Sequence, residues 1–145
     1  MGQNLGPFDR VITSTLPRAF ETAIAMGFAV DEQNKLMSTY GREVGEEAPW
    51  PLSLAGYAEV VSVGGAAAQY ANQLAEVYRK LANFLADGRA ALVINHGGVL
   101  ELGAVACLPD VDHFAWGSHF EYCEGVRLFW EDDKFVNAEV LRVSI

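Results

Sequence analysis

The run Ala90-Ala91-Leu92-Val93-Ile94-Asn95, closed by His96-Gly97-Gly98, limits this chain more than any other segment. It is short and apolar almost throughout, which predicts a buried strand of the kind found in parallel sheets. The two glycines then open a helix through Val99, Leu102, Val105 and Ala106. A strand that turns into a helix in this way is a βα unit, and it points to an α/β domain. The same turn sets an imidazole beside main-chain N–H groups at the positive end of a helix dipole, a place suited to phosphate.

The rest of the chain agrees with this class. Asp9–Ser14 predicts a second strand. Ser14 or Thr15 can cap the helix after it, and Pro17 fits its first turn. Phe20, Ile24 and Met26 are expected on the buried side of that helix, Gly27 ends it, and Phe28-Ala29-Val30 reads as a further short strand. Residues 31–56 are polar and broken by Gly41, Gly45, Pro49 and Pro51, a loop-rich stretch able to form a wall over a site. Residues 57–65 fit no single pattern.

From Ala66 to Ala86, Tyr70, Leu74, Val77, Leu81 and Phe84 or Leu85 recur at helical spacing, and Asp87-Gly88 stops the helix. Pro109 closes the helix that follows His96. Val126–Trp130 and Phe135–Val143, joined by Glu131-Asp132-Asp133-Lys134, predict an antiparallel hairpin. The expected architecture is a three-layer α/β/α sandwich with a mainly parallel sheet and an antiparallel hairpin at its end, in a single domain over residues 1–145.

Charge narrows the partners. The chain of 145 residues carries a net charge of −9 with only ten Lys and Arg. That disfavours nucleic acid and anionic membranes. A small phosphorylated molecule remains compatible, because it needs only a few local donors. No apolar stretch reaches bilayer length, and the first residues show no basic and apolar leader pattern, so a cytoplasmic protein is expected. Cys107 and Cys123 match no zinc or redox spacing and read as reduced structural thiols. No metal or cofactor is implied.

Two βα junctions concentrate the chemistry: Thr13-Ser14-Thr15-Leu16-Pro17-Arg18 and Asn95-His96-Gly97-Gly98. In a parallel sheet both fall at the carboxyl ends of strands, where ligands bind. Arg18, in the first turn of its helix, offers paired donors for a phosphate. His96 can donate to a phosphoryl oxygen or move a proton near neutral pH.

These motifs resemble those of the histidine phosphatase superfamily, which includes the cofactor-dependent phosphoglycerate mutases. Asp9-Arg10-Val11-Ile12-Thr13-Ser14-Thr15-Leu16-Pro17-Arg18-Ala19 with Glu21-Thr22-Ala23 is similar to its second motif, and Val93–Leu100 to its later His-Gly-Gly strand. The resemblance runs from about Gly6 to the C-terminus. It implies phosphomonoester hydrolysis or phosphoryl transfer, with Arg18 binding phosphate and His96 contacting the transferring group. Ser14, Gly97 and Gly98 would line the same pocket.

The family's Arg-His-Gly motif, which carries the phosphorylated histidine, has no counterpart here. On the resemblance a first strand and helix, on the order of 40 residues, are missing from the start, and Pro7-Phe8-Asp9 reads as mid-domain. His113 and His119 have aromatic neighbours and read as packed or rim residues. The family's acid segment aligns with Leu36–Gly41, which holds no carboxylate, leaving Glu43, Glu46 and Glu47 nearby as acid candidates. Impaired catalysis follows, with a non-catalytic phosphoester-binding protein of the same fold as the alternative. A strand missing beside residues 90–95 would also uncover an edge, to be covered by a second copy or by a changed strand order.

Overall fold

A computed structural model describes residues 7–121 and 123–143 of the chain. The first six residues, which carry the leader reading, lie outside them. The strands are β1 (Arg10–Ser14), β2 (Glu32–Asn34), β3 (Ala91–Ile94), β4 (Gly125–Glu131) and β5 (Lys134–Leu141). The helices are α1 (Pro17–Ala25), α2 (Arg42–Glu47), α3 (Leu54–Val63), α4 (Ala66–Phe84) and α5 (Val99–Cys107), with 3₁₀ turns at Lys35–Met37 and His113–Trp116. The fold is mixed α/β. A parallel sheet in the order β2-β1-β3 stands beside a separate antiparallel hairpin, β4-β5. Among the described residues, no helix is long and apolar enough to cross a membrane.

β1 holds the middle of the sheet because both its edges are paired. Arg10 to Thr13 lie opposite Ala91 to Ile94 on one side, and Ile12 to Ser14 opposite Glu32 to Asn34 on the other. Its residues Val11–Ser14 are buried. The parallel register brings Ser14 and the end of β3 to the same end of the sheet, ahead of α1 and α5. Asp132 and Asp133, both at positive φ (53° and 63°), form the tight turn of the hairpin.

α5 is buried along nearly its whole length, with Val99, Leu102 and Val105 at or below 1% exposure. Each such side chain contributes about 1.5–3 kcal/mol relative to an exposed one. α3 and α4 pack against α5, and Leu54, Tyr57, Ala71 and Leu74 join it in the main core. Residues 31–56, expected as loop-rich, hold β2, α2 and the start of α3 as short elements.

Three local expectations are corrected. The helix-capping position of α1 is Leu16, without a side-chain bond, because the Ser14 and Thr15 hydroxyls are engaged elsewhere. α1 buries Ala19 and Ala23 rather than Phe20 and Ile24, which are 39% and 51% exposed. Its small residues let the helix lie close to the sheet, and the larger ones fall on the other face. Residues 28–30 are not a strand; the pairing partner of β1 is the more polar Glu32–Asn34, whose backbone reaches the edge just after Asp31 bonds to Val11.

β3 shows a further difference. Its sequence is apolar at every position, yet all four residues are only half-buried. It is an edge strand, and its second edge opens onto a cleft of about 500 Å³ between it and β4.

Candidate functional site

Ser14 ends β1 and His96 follows β3, so neighbouring parallel strands deliver both to one point. The Ser14 Oγ and His96 Nε2 lie 2.6 Å apart, a short hydrogen bond. Ser14 is fully buried and its Oγ also accepts the Leu16 N–H at 3.3 Å. A buried hydroxyl of this kind orients the imidazole and is not open to a ligand. The structure thus places Ser14 at the junction as the hydrogen-bond partner of His96.

His96 is half-buried. Desolvation, and then the positive charge of Arg18, push its pKa below the usual 6.5. The imidazole is thus mainly neutral at pH 7, with Nε2 engaged by Ser14 and Nδ1 without a hydrogen bond among the described residues. Arg18 sits in the first turn of α1, close enough to act on His96 by its charge. It is exposed and forms no ion pair among the described residues. The two junctions expected to carry chemistry are therefore adjacent in space.

The His-Gly-Gly turn is more enclosed than its sequence suggests. Gly98 has φ +84°, and a Cβ there would lie 2.6 Å from the Tyr40 hydroxyl. A Cβ on Gly97 would lie 2.5 Å from the Trp50 ring. The Gly98 N–H donates to Glu101 Oε1 at 2.9 Å, and Phe120 N–H donates to Glu101 Oε2 at 3.1 Å. This is the returning half of a capping box, with glycine at the cap position. A carboxylate therefore already occupies one donor that the sequence reading offered to phosphate. Burial raises the Glu101 pKa, against the lowering effect of these N–H groups.

The acid candidates have partners of their own or face solvent. Glu47 accepts the Ala66 and Ala67 N–H groups, each at 3.0 Å, and so caps α4. Glu46 pairs with Arg42 at 2.9 Å. Glu43 is exposed in the first turn of α2. Of the other histidines, His113 is buried and bonded to the Leu108 carbonyl at 2.7 Å. His119 packs edge-on against Trp50, 4.9 Å between centroids, and reaches Glu121 at 3.2 Å. Neither is bonded to His96 or Arg18.

Tyr40, Trp50, Glu101 and His119 frame the turn and were not singled out as site residues from the sequence. For Glu101 a signal exists: a glutamate three residues past a helix cap. For the others none exists, because long-range packing delivers them. No family model, no curated protein and no solved structure matches this chain.

Proposed function

We propose that this chain is a histidine-phosphatase-like domain whose Arg18 and His96 engage the phosphoryl group of a small phosphomonoester. The observation that carries the reading is the junction itself: a buried Ser14 holds His96 beside an exposed Arg18, which has no ion-pair partner among the described residues, at the carboxyl ends of two parallel strands. A guanidinium supplies charge-assisted donors, and the free Nδ1 of His96 supplies one more polar contact. The finer architecture belongs to the same reading: helices on both faces of the sheet make the three layers of such a domain.

The chemistry of this reading is phosphomonoester hydrolysis or phosphoryl transfer. A covalent phosphohistidine route needs a second histidine as nucleophile. His113 and His119 are turned toward other partners, so turnover by this chain is expected to be weak. A non-catalytic phosphoester-binding protein of the same fold is favoured by one observation. The Gly98 N–H and the His96 Nε2 are already paired within the protein.

Calorimetric titration with inorganic phosphate, alongside turnover of p-nitrophenyl phosphate, tests both. Saturable binding that is lost in Arg18→Ala supports the site. Turnover abolished in His96→Ala selects the enzyme, and binding without turnover selects the alternative. Binding that is indifferent to Arg18, or absent altogether, overturns the reading.

A further inference from the structure

We propose that Trp50 selects the organic group of the phosphomonoester, and that the group it selects is a neutral aromatic ring borne directly on the phosphate oxygen. This selection rests on Arg18 and His96 forming the phosphoryl site. Trp50 comes from the polar stretch 31–56 and is 49% exposed. A tryptophan placed by packing alone is highly buried. Trp50 instead keeps much of its surface open to water, although its ring is firmly seated.

The seat is Gly97. A Cβ there would lie 2.5 Å from the indole Cη2, and 2.8 and 3.0 Å from its ring neighbours Cζ3 and Cζ2. Three such similar distances mean that the outer end of the ring lies over Gly97 by its face. An edge-on approach would set the two neighbours well behind Cη2. Gly97 has no positive φ, so its backbone does not demand glycine. What the missing side chain provides is room for Trp50. His119 also packs on the ring, with centroids 4.9 Å apart and planes at 71°. The indole is thus placed in advance and loses little freedom when a ligand meets it. Gly97 follows His96, with about 3.8 Å between their Cα atoms. The open part of the indole therefore begins within one side chain's reach of a phosphoryl group on His96.

The surroundings of the indole select the chemistry of the group. His119 Nε2 reaches Glu121 at 3.2 Å, and both Glu101 oxygens hold main-chain N–H groups. Those polar atoms are engaged, so what Trp50 offers a ligand is ring surface. A sugar or polyol packed there would leave hydroxyls without partners. An alkyl chain would lose rotamer freedom on being ordered. An aromatic ring is rigid, and it gains from offset or edge-to-face packing on the indole beyond the area it covers. Because the indole starts beside His96, the ring must be attached close to phosphorus. The base of a nucleotide, held off by its sugar, overshoots. The Glu121 carboxylate beside His119, 70% exposed, disfavours a second negative charge on the ring.

The test uses the whole protein and benzylphosphonate, in which a methylene stands in for the ester oxygen of phenyl phosphate and resists hydrolysis. The comparators are (cyclohexylmethyl)phosphonate and methylphosphonate. Calorimetric titration should give benzylphosphonate about fivefold tighter binding than its cyclohexyl counterpart, the scale of one aromatic pair. Trp50→Ala should erase that preference, and Trp50→Phe should keep most of it. The Trp50 indole N–H resonance, assigned by its loss in Trp50→Phe, should shift with benzylphosphonate and stay near its free position with methylphosphonate. This readout decides the matter even where Trp50→Ala does not fold. Equal affinity for the two ring ligands, a preference that survives Trp50→Ala, or an unmoved resonance at saturating benzylphosphonate overturns the role of Trp50 and leaves the phosphoryl site standing. If neither the phosphonates nor inorganic phosphate bind, the phosphoryl site itself falls, and the ring selection falls with it.

Discussion

The Ser14 Oγ and the His96 Nε2 are 2.6 Å apart, one at the end of β1 and the other just past β3. This bond fixes which nitrogen of the imidazole faces the sheet. With Nε2 engaged, Nδ1 is the atom left to meet a ligand. Ser14→Ala should remove that restraint without opening a large cavity. The expected result is weaker phosphate binding with little loss of stability, about 1 kcal/mol for one neutral hydrogen bond. Calorimetric titration with phosphate and chemical denaturation read the two effects separately.

The pH dependence of His96 follows from its surroundings. Its folded pKa lies below 6.5, through desolvation and the charge of Arg18. The unfolded chain therefore takes up a proton first as pH falls. This contribution to stability is fully present above the unfolded value and is lost as pH drops from about 6.5 toward the folded pKa. NMR titration of His96 should give a midpoint under 6.5, and Arg18→Ala should move it upward. A midpoint unchanged in Arg18→Ala would place the guanidinium too far away to act.

Arg18 itself is exposed and free of ion pairs among the described residues, so its removal should cost little stability, within about 0.5 kcal/mol. Its effect on an anion should be larger. A charge-assisted hydrogen bond contributes about 1.5–3 kcal/mol, which corresponds to roughly a 10- to 150-fold loss of phosphate affinity in Arg18→Ala. Arg18→Lys keeps the charge but not the planar fork and should fall between the two. Dissociation constants for inorganic phosphate at fixed ionic strength check the order.

The sequence made some of this legible because local chemistry decided it. β1, β3, α4, α5 and the hairpin follow from apolar periodicity and turn residues, and residue type alone points to both βα junctions. The errors arise where tertiary packing overrides local pattern. α1 turned Ala19 and Ala23 inward because close approach to the sheet favours small side chains over Phe20 and Ile24. Glu47 lies near the site in sequence, but its carboxylate caps α4 instead. Trp50 and Tyr40 reached the glycine turn from a stretch with no periodicity to read, so only the folded chain places them. The half-exposure of β3 depends on which strands flank it, and no property of its own four residues encodes that.

The two glycines of the turn should respond differently to substitution. Gly97→Ala meets the Trp50 ring at 2.5 Å, and the obstacle is one half-exposed side chain. Trp50→Ala should therefore rescue most of the loss in Gly97→Ala. Gly98→Ala meets the Tyr40 hydroxyl at 2.6 Å and also sits at φ +84°. Removing Tyr40 clears the clash but leaves the backbone strain, a cost of about 1–3 kcal/mol. Double-mutant cycles by denaturation should show strong coupling for Gly97 with Trp50 and only partial coupling for Gly98 with Tyr40.

Glu101 ties this turn to the segment that carries His119. It is fully buried and accepts both the Gly98 and the Phe120 N–H groups. Glu101→Ala leaves two donors unsatisfied, each costing about 1–3 kcal/mol, so a loss on the order of 3 kcal/mol is expected. Glu101→Gln keeps one acceptor and turns an amide N–H₂ toward the other donor, so its loss should be smaller. The raised pKa of Glu101 adds a pH signature. A carboxyl with a folded pKa above its unfolded value contributes stability that is fully present below about 4.5 and is lost as pH rises through the folded pKa. The gap between the native protein and Glu101→Gln should therefore be widest below pH 4.5 and should narrow toward pH 7. Denaturation curves for the pair across that range measure it. A gap that widens toward neutral pH would mean that the two N–H bonds outweigh the burial of the charge.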